Sequence, residues 1–293
     1  MSGAALNKLG IEVKRINKEQ FLKVRNALEP VLTKAGLHTK FKSGWTMGSA
    51  GSWAPEHPYY NEKSLKTDAG DIDVMVDASE LLGAFPPKSK TYKQEPAPEK
   101  KFADDLKSSK EQLGTWLTEQ GFPNTGANLN MSFNLDGQEI QVDLIVKRDA
   151  SQVIGGHQMD YSRDVGMKGS DLWLNIWPDL VRMTPNPRTG KTSLGVDPKT
   201  GKNISALQLS PDLGVVDRET GQVMIPWSNK DEIAKLMVGP HATGRDISSI
   251  SGLRSSLQQV PNKWNAVKQY FPPINESAIT GTGAWFKNIL GKI

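Results

Sequence analysis

Apolar and polar residues alternate along this chain in two distinct periods, and the change of period marks the elements. Asn17 has the side chain of a helix cap, Gln20 follows three positions later, and Phe21, Val24, Leu28, Val31 and Leu32 then recur at helical spacing up to Gly36. The pattern predicts an amphipathic helix there, followed by a strand over 38–47 that runs into Gly48-Ser49. In GDIDVMVD the period drops to two. Ile72, Val74 and Val76 share one face of a strand, while Asp71, Asp73, Met75 and Asp77 share the other. A helical turn is expected around Leu81, then an exposed connector, PPKSKTYKQEPAPEKK, then a helix over 101–120 ending at Gly121.

The most legible element is a hairpin: LNMSFNL, the turn Asp136-Gly137, then QEIQVDLIV. A two-residue type I′ turn fixes the register, so that Leu135 faces Gln138, Phe133 faces Ile140, Met131 faces Val142 and Leu129 faces Leu144. The opposite face then carries Asn130 across from Asp143 and Ser132 across from Gln141. Asp143 is therefore expected on a polar face.

Beyond residue 150 the character changes. KGSDLWLNIWPDLVRM reads as a helix with Leu172, Ile176 and Leu180 inward, stopped at Thr184-Pro185. Three similar segments, NPRTGK, DPKTGK and DRETGQ, begin at residues 186, 197 and 217 and predict β-turns in a region of small hairpins; their irregular spacing excludes a solenoid. Helices are expected over 228–238, over 247–271 with a break near Pro261, and over 277–290. The expected fold is α+β: a mixed-sheet domain with helices over 1–150, and a mostly helical module over 151–293 with a turn-rich β insertion at 185–226.

Composition narrows the chemistry. At 293 residues, 37% hydrophobic and 23% charged, the chain can bury a full core, which excludes a fibrous or disordered class. With no cysteine there are no disulfides or thiolate sites, and four scattered histidines argue against zinc. A metal would be held by carboxylates, which favours magnesium, with manganese as a substitute. Neither an apolar run long enough to span a membrane nor a signal sequence is visible, so the expectation is a cytoplasmic protein. The net charge of +4 allows a polyanionic partner such as RNA, and oligomeric state is left open.

Two acids alternating on one strand, with a third on a neighbouring strand, can hold two divalent cations ~3.5–4 Å apart. Gly48-Ser49 ahead of them offers backbone N–H groups and a hydroxyl to a phosphate. On MGSAGS, GDIDVMV and IQVDLIV, residues 17–148 resemble the DNA polymerase beta-like nucleotidyltransferases, whose pattern is a Gly-Ser, an acid-x-acid strand and a third acid between apolar residues. The resemblance implies a palm with two magnesium ions on Asp71, Asp73 and Asp143, and transfer of a nucleoside monophosphate from ATP or another nucleoside triphosphate to a hydroxyl. It implies that Asp143 stands closest to the attacking hydroxyl and that Gly48, Ser49, Ser52 and Lys66 contact the nucleotide, with Gly51-Ser52 as a second register for the phosphate pair. The short stretch before Gly48 is expected to be too small for the accessory domains of repair polymerases, so a free-standing transferase is expected, and the basic balance favours an RNA 3′ end as its acceptor.

Other outcomes are the same chemistry on a small molecule, a protein or a second nucleotide, or a non-catalytic palm used for binding or assembly. The interval between Gly48 and Asp71 is longer than the family's, and WAPEHPYYNEKSLKT within it is the candidate lid or acceptor-binding element. TGKTS at Thr189 looks like the end of a P-loop, but Pro185 stands where its first glycine belongs, so it reads as a turn. Trp173 and Trp177, four apart, read as core or as a base-stacking pair. The closing AWFKNILGKI reads as a segment that closes a core, contacts a partner or rests on a membrane surface.

Overall fold

A computed structural model describes residues 5–37, 46–60, 63–88, 97–163, 171–181, 184–199, 201, 203–210 and 212–271. The fold is α+β and divides into two compact units, Met1–Glu62 with Thr67–Ser151 and Lys63–Lys66 with Gln152–Ile293.

The first unit contains α1 (Lys18–Lys34), β1 (Thr46–Met47), α2 (Gly48–Gly51), β2 (Ile72–Asp77), α3 (Ala78–Ala84), α4 (Pro98–Glu119), β3 (Asn130–Leu135) and β4 (Gln138–Lys147), and α5 (Ala150–His157) begins in it. Helix α1 starts where the sequence says it should, because both halves of a capping box form: Asn17 Oδ1 accepts from Gln20 N and Gln20 Oε1 accepts from Asn17 N, each at 3.0 Å. The sheet order is β1-β2-β4-β3, with β2 and β4 parallel and the other pairs antiparallel. Ile72, Val74 and Val76 of β2 enter one core with Phe21 and Leu28 of α1, Leu113 and Leu117 of α4, and Ile140 and Val142 of β4. That helical layer covers one sheet face and leaves the acids on the other.

The hairpin register follows the turn. Asp136 and Gly137 both take positive φ, +54° and +83°, as a type I′ turn demands, and the pairs Leu135–Gln138, Phe133–Ile140, Met131–Val142, Ser132–Gln141 and Asn130–Asp143 all form. Leu129 lies just before β3, yet its carbonyl still accepts from Leu144 N at 3.1 Å.

Several expectations change. The strand expected over 38–47 is seen at Thr46–Met47, and 38–45 lie outside the described residues. The stretch from Trp53 is not an open lid at its start. Trp53 and Ala54 are core residues, Trp53 meets Phe21 edge-on with centroids 6.0 Å apart, and a chain of turns through His57 and Tyr60 folds the segment down. Glu56 is tied to the buried Arg25. Helix α5 was not expected at all, because SQVIGGH shows neither a helical stripe nor helix-forming composition.

The second unit holds α6 (Asp171–Val181), β5 (Ser193–Val196), β6 (Asn203–Ser205), β7 (Leu207–Ser210), β8 (Gly214–Asp217), β9 (Val223–Ile225), α7 (Lys230–Met237), α8 (Ile250–Gln258) and α9 (Pro261–Val267). Strands β5 and β6 pair, and β7-β8-β9 form an antiparallel sheet. Its core joins Leu172, Ile176 and Leu180 of α6 to Leu207, Val215, Trp227, Ile233 and Leu253. Trp173 and Trp177 are buried in that core: Trp173 packs on Trp227 at 4.8 Å and the Trp177 indole donates to the Leu207 carbonyl at 3.4 Å, so neither serves as a base platform. Lys230 Nζ donates to the carbonyls of Gly155 and Gln158 at 2.8 and 2.9 Å, tying the end of α5 into this unit, and burial pushes its ammonium down to about 7.

The three Thr-Gly segments share one geometry. Asn186, Asp197 and Asp217 each accept, on the backbone carbonyl at 2.8 Å, from the glycine four residues on, and each side chain accepts from the N–H two residues on at 2.8–2.9 Å. Those glycines sit at φ +69°, +67° and +71°, so TGKTS is a left-handed turn rather than a phosphate loop. Asn186 Nδ2 also donates to Asp217 Oδ2 at 2.8 Å in the interior, which joins the first turn to the third. Among the described residues no helix is long and apolar enough to cross a membrane. The expected helix at 277–290, the closing segment at 284–293 and connector residues 89–96 lie outside the described residues.

Candidate functional site

Three elements of the first unit meet at Asp73. Parallel pairing of β2 with β4 makes Asp73 and Asp143 direct Cα partners, and antiparallel pairing of β1 with β2 sets Met47 opposite Asp73, so that Gly48 follows immediately beside it. The contact with Gly48 is close: a Cβ there would fall 2.6 Å from Asp73 Oδ2, and Gly48 has φ +63°. Only glycine suits both demands. Gly48→Ala is therefore expected to lower stability by more than the roughly 1–2 kcal/mol of left-handed strain alone. Urea unfolding beside Gly10→Ala, where φ is +73° and the space is open, isolates the extra contact with Asp73.

Electrostatics single out the same residue. Burial pushes the Asp73 carboxyl up to about 7, and the negative charges of Asp71 and Asp143 add to the rise. Asp143 is also raised by burial, an effect opposed by hydrogen bonds from Asn130 and Gln141. Gln141 Nε2 reaches both oxygens of Asp143, at 2.9 and 3.0 Å. The last acid of β2 does different work. Asp77 Oδ1 accepts from Ser79 N at 2.8 Å to cap α3, and its Oδ2 accepts from Ala150 N at 3.2 Å at the start of α5.

The two candidate phosphate pairs sit at opposite ends of α2. Gly48 and Ser49 open it, where N–H groups lack helical partners, whereas Gly51 and Ser52 stand at its end and the Ser52 N–H already donates to the Ala50 carbonyl. Of Ser49 only the backbone is described. Gly51 has a packing reason to be glycine, since a Cβ would come within 2.6 Å of the Thr46 carbonyl. Lys66 belongs to the Lys63–Lys66 segment of the second unit, where its N–H donates to Ser64 Oγ at 3.2 Å, so the site described is built from first-unit residues alone.

Residues the sequence reading did not single out also belong here. Arg15 makes a two-pronged pair with Asp68, both contacts 2.8 Å, and feels the charge of Asp71 as well. Asn130 and Gln141 hold Asp143, and the hairpin register had already put both on its face. Among the described residues, no three carboxylates or imidazoles stand close enough together to hold an ion as placed. No family model, curated protein or solved structure matches the chain. The functional reading therefore stands on the chemistry of these side chains.

Proposed function

We propose that the first unit is a nucleotidyltransferase palm that moves a nucleoside monophosphate from a nucleoside triphosphate to a hydroxyl, with magnesium as cofactor and an RNA 3′ end as the favoured acceptor. The observation that carries this reading is the direct pairing of Asp73 with Asp143 beside Gly48, with the Asp73 carboxyl held up to about 7 by burial and by two neighbouring acids.

A fold gains nothing by burying an acid among acids. A divalent cation held by these carboxylates would offset that repulsion. The donor set suits magnesium or manganese: it is all oxygen, and it has no thiolate. Asp71, Asp73 and Asp143 would hold the ions, which when bound activate an attacking oxygen and stabilise a leaving one. The chain's own residues have separate tasks. Asp143, fixed by two amides, takes the proton of the acceptor hydroxyl, and the backbone N–H groups of Gly48 and Ser49 at the start of α2 receive phosphate oxygens. The position of Gly48-Ser49 at the opening of α2 favours that pair over Gly51-Ser52. The basic net charge supports a nucleic-acid acceptor.

The test is incubation with each labelled nucleoside triphosphate, magnesium and an RNA pool, with product masses measured. Label on RNA that disappears with a chelator supports the reading. Label on a small molecule or on protein keeps the chemistry and changes the acceptor. Unlabelled products with every triphosphate and acceptor sink it.

A further inference from the structure

Gln141 stands two residues before Asp143 on β4 and is 3% exposed. Its amide nitrogen spans both oxygens of Asp143, while its own Oε1 is buried without a hydrogen-bond partner. The orientation is forced, since the flipped amide would set an acceptor against two acceptors. On the other side of Asp143, Thr125 Oγ1 donates to Asn130 Oδ1 at 3.0 Å, which leaves the Asn130 NH₂ for the carboxylate. The Asp143 carboxylate is thus gripped by two amides, each turned one way. A buried acceptor with no partner weighs against the fold. An apolar side chain of similar volume at 141 would avoid it, so packing alone does not account for the glutamine.

We infer that Gln141 is a positioning residue for the proposed transfer, its amide fixing the plane of the Asp143 carboxylate and so the direction from which the acceptor hydroxyl loses its proton. The inference rests on the nucleotidyltransferase reading. In the step concerned, the hydroxyl proton passes to Asp143, the oxygen forms a bond to the α-phosphorus, and the bond to the bridging oxygen breaks so that pyrophosphate leaves with the electron pair. A carboxylate free to rotate holds a cation less tightly, still permits triphosphate to bind, and presents its oxygens to the hydroxyl for a smaller share of the time.

The variants are Gln141→Met, which keeps the volume and removes the amide, and Gln141→Asn, which keeps the amide about 1.5 Å short of its partner. Both are expected to lose roughly 10–100-fold in kcat, with the KM for triphosphate within twofold of wild type. In a titration of Mn²⁺ followed by electron paramagnetic resonance, both are expected to bind the ion roughly tenfold more weakly. Gln141→Asn retains a polar side chain and carries the test if Gln141→Met does not fold. Wild-type kcat and Mn²⁺ affinity in a folded variant overturn the positioning role and leave the transferase reading in place. A kcat that falls only in proportion to the fraction of folded protein overturns it too. A wild-type chain that neither transfers label nor binds Mn²⁺ overturns both.

Discussion

Asp73→Asn is expected to make the protein more stable and inactive at once. The folded Asp73 carboxyl titrates at about 7 against an ordinary value of 3.8, so between these values the folded chain holds a proton that the unfolded chain has released. Stability contributed by this group is therefore full below about pH 4, falls as pH rises toward 7, and is flat above. Three pH units correspond to a loss of at most on the order of 4 kcal/mol at pH 8. Asparagine has the same shape and never ionises, so the variant should gain up to a few kcal/mol over wild type in urea unfolding at pH 8 and almost nothing at pH 4. Magnesium is expected to stabilise the wild type at pH 8 and not the variant, by binding linkage. In the proposed transfer Asp73 would hold the ions, so transfer of label is expected to fall at least ~1,000-fold. An Asp73→Asn chain that is less stable than wild type, or one that keeps the wild-type pH dependence, would make Asp73 an ordinary structural acid.

Trp53→Ala is expected to destabilise the first unit by about 3–5 kcal/mol, the range for truncating a buried aromatic. Trp53 is 2% exposed and meets Phe21, itself fully buried, edge to face. A residue of a mobile lid would behave differently, leaving the unfolding midpoint in place and changing only substrate binding. Tyr60→Ala is the control within the same segment. Its ring is half-buried beneath Lys18 Nζ at 4.8 Å, and its loss should amount to about 1 kcal/mol or less. Equal, small effects at both positions would restore the lid.

What could be read from the sequence is local. The capping box at Asn17 and Gln20 needs only residues three apart, and the Asp136-Gly137 turn dictates the pairing of its own flanks. Alternation at period two then sends Asp71, Asp73 and Asp143 to polar faces without any knowledge of the fold. What could not be read depends on contacts between distant segments. Trp53 sits in a polar, proline-bearing stretch that carries every sign of an exposed loop, and its burial follows from the pocket beside Phe21. Gln141 is an ordinary polar residue on a half-buried strand until the Asp143 carboxylate is placed against its amide.

The sequence by itself determined which acids share a strand face, where α1 begins and how β3 registers on β4, because these follow from backbone geometry over a few residues. Tertiary structure alone decided that β2 lies parallel to β4 with Asp73 on Asp143, that Gly48 rather than Gly51 lies against the acids, and that Asp77 is spent on helix caps. The physical reason is range. A parallel pairing across some 70 intervening residues is selected by the common core of α1, α4 and the sheet, and no local period encodes it.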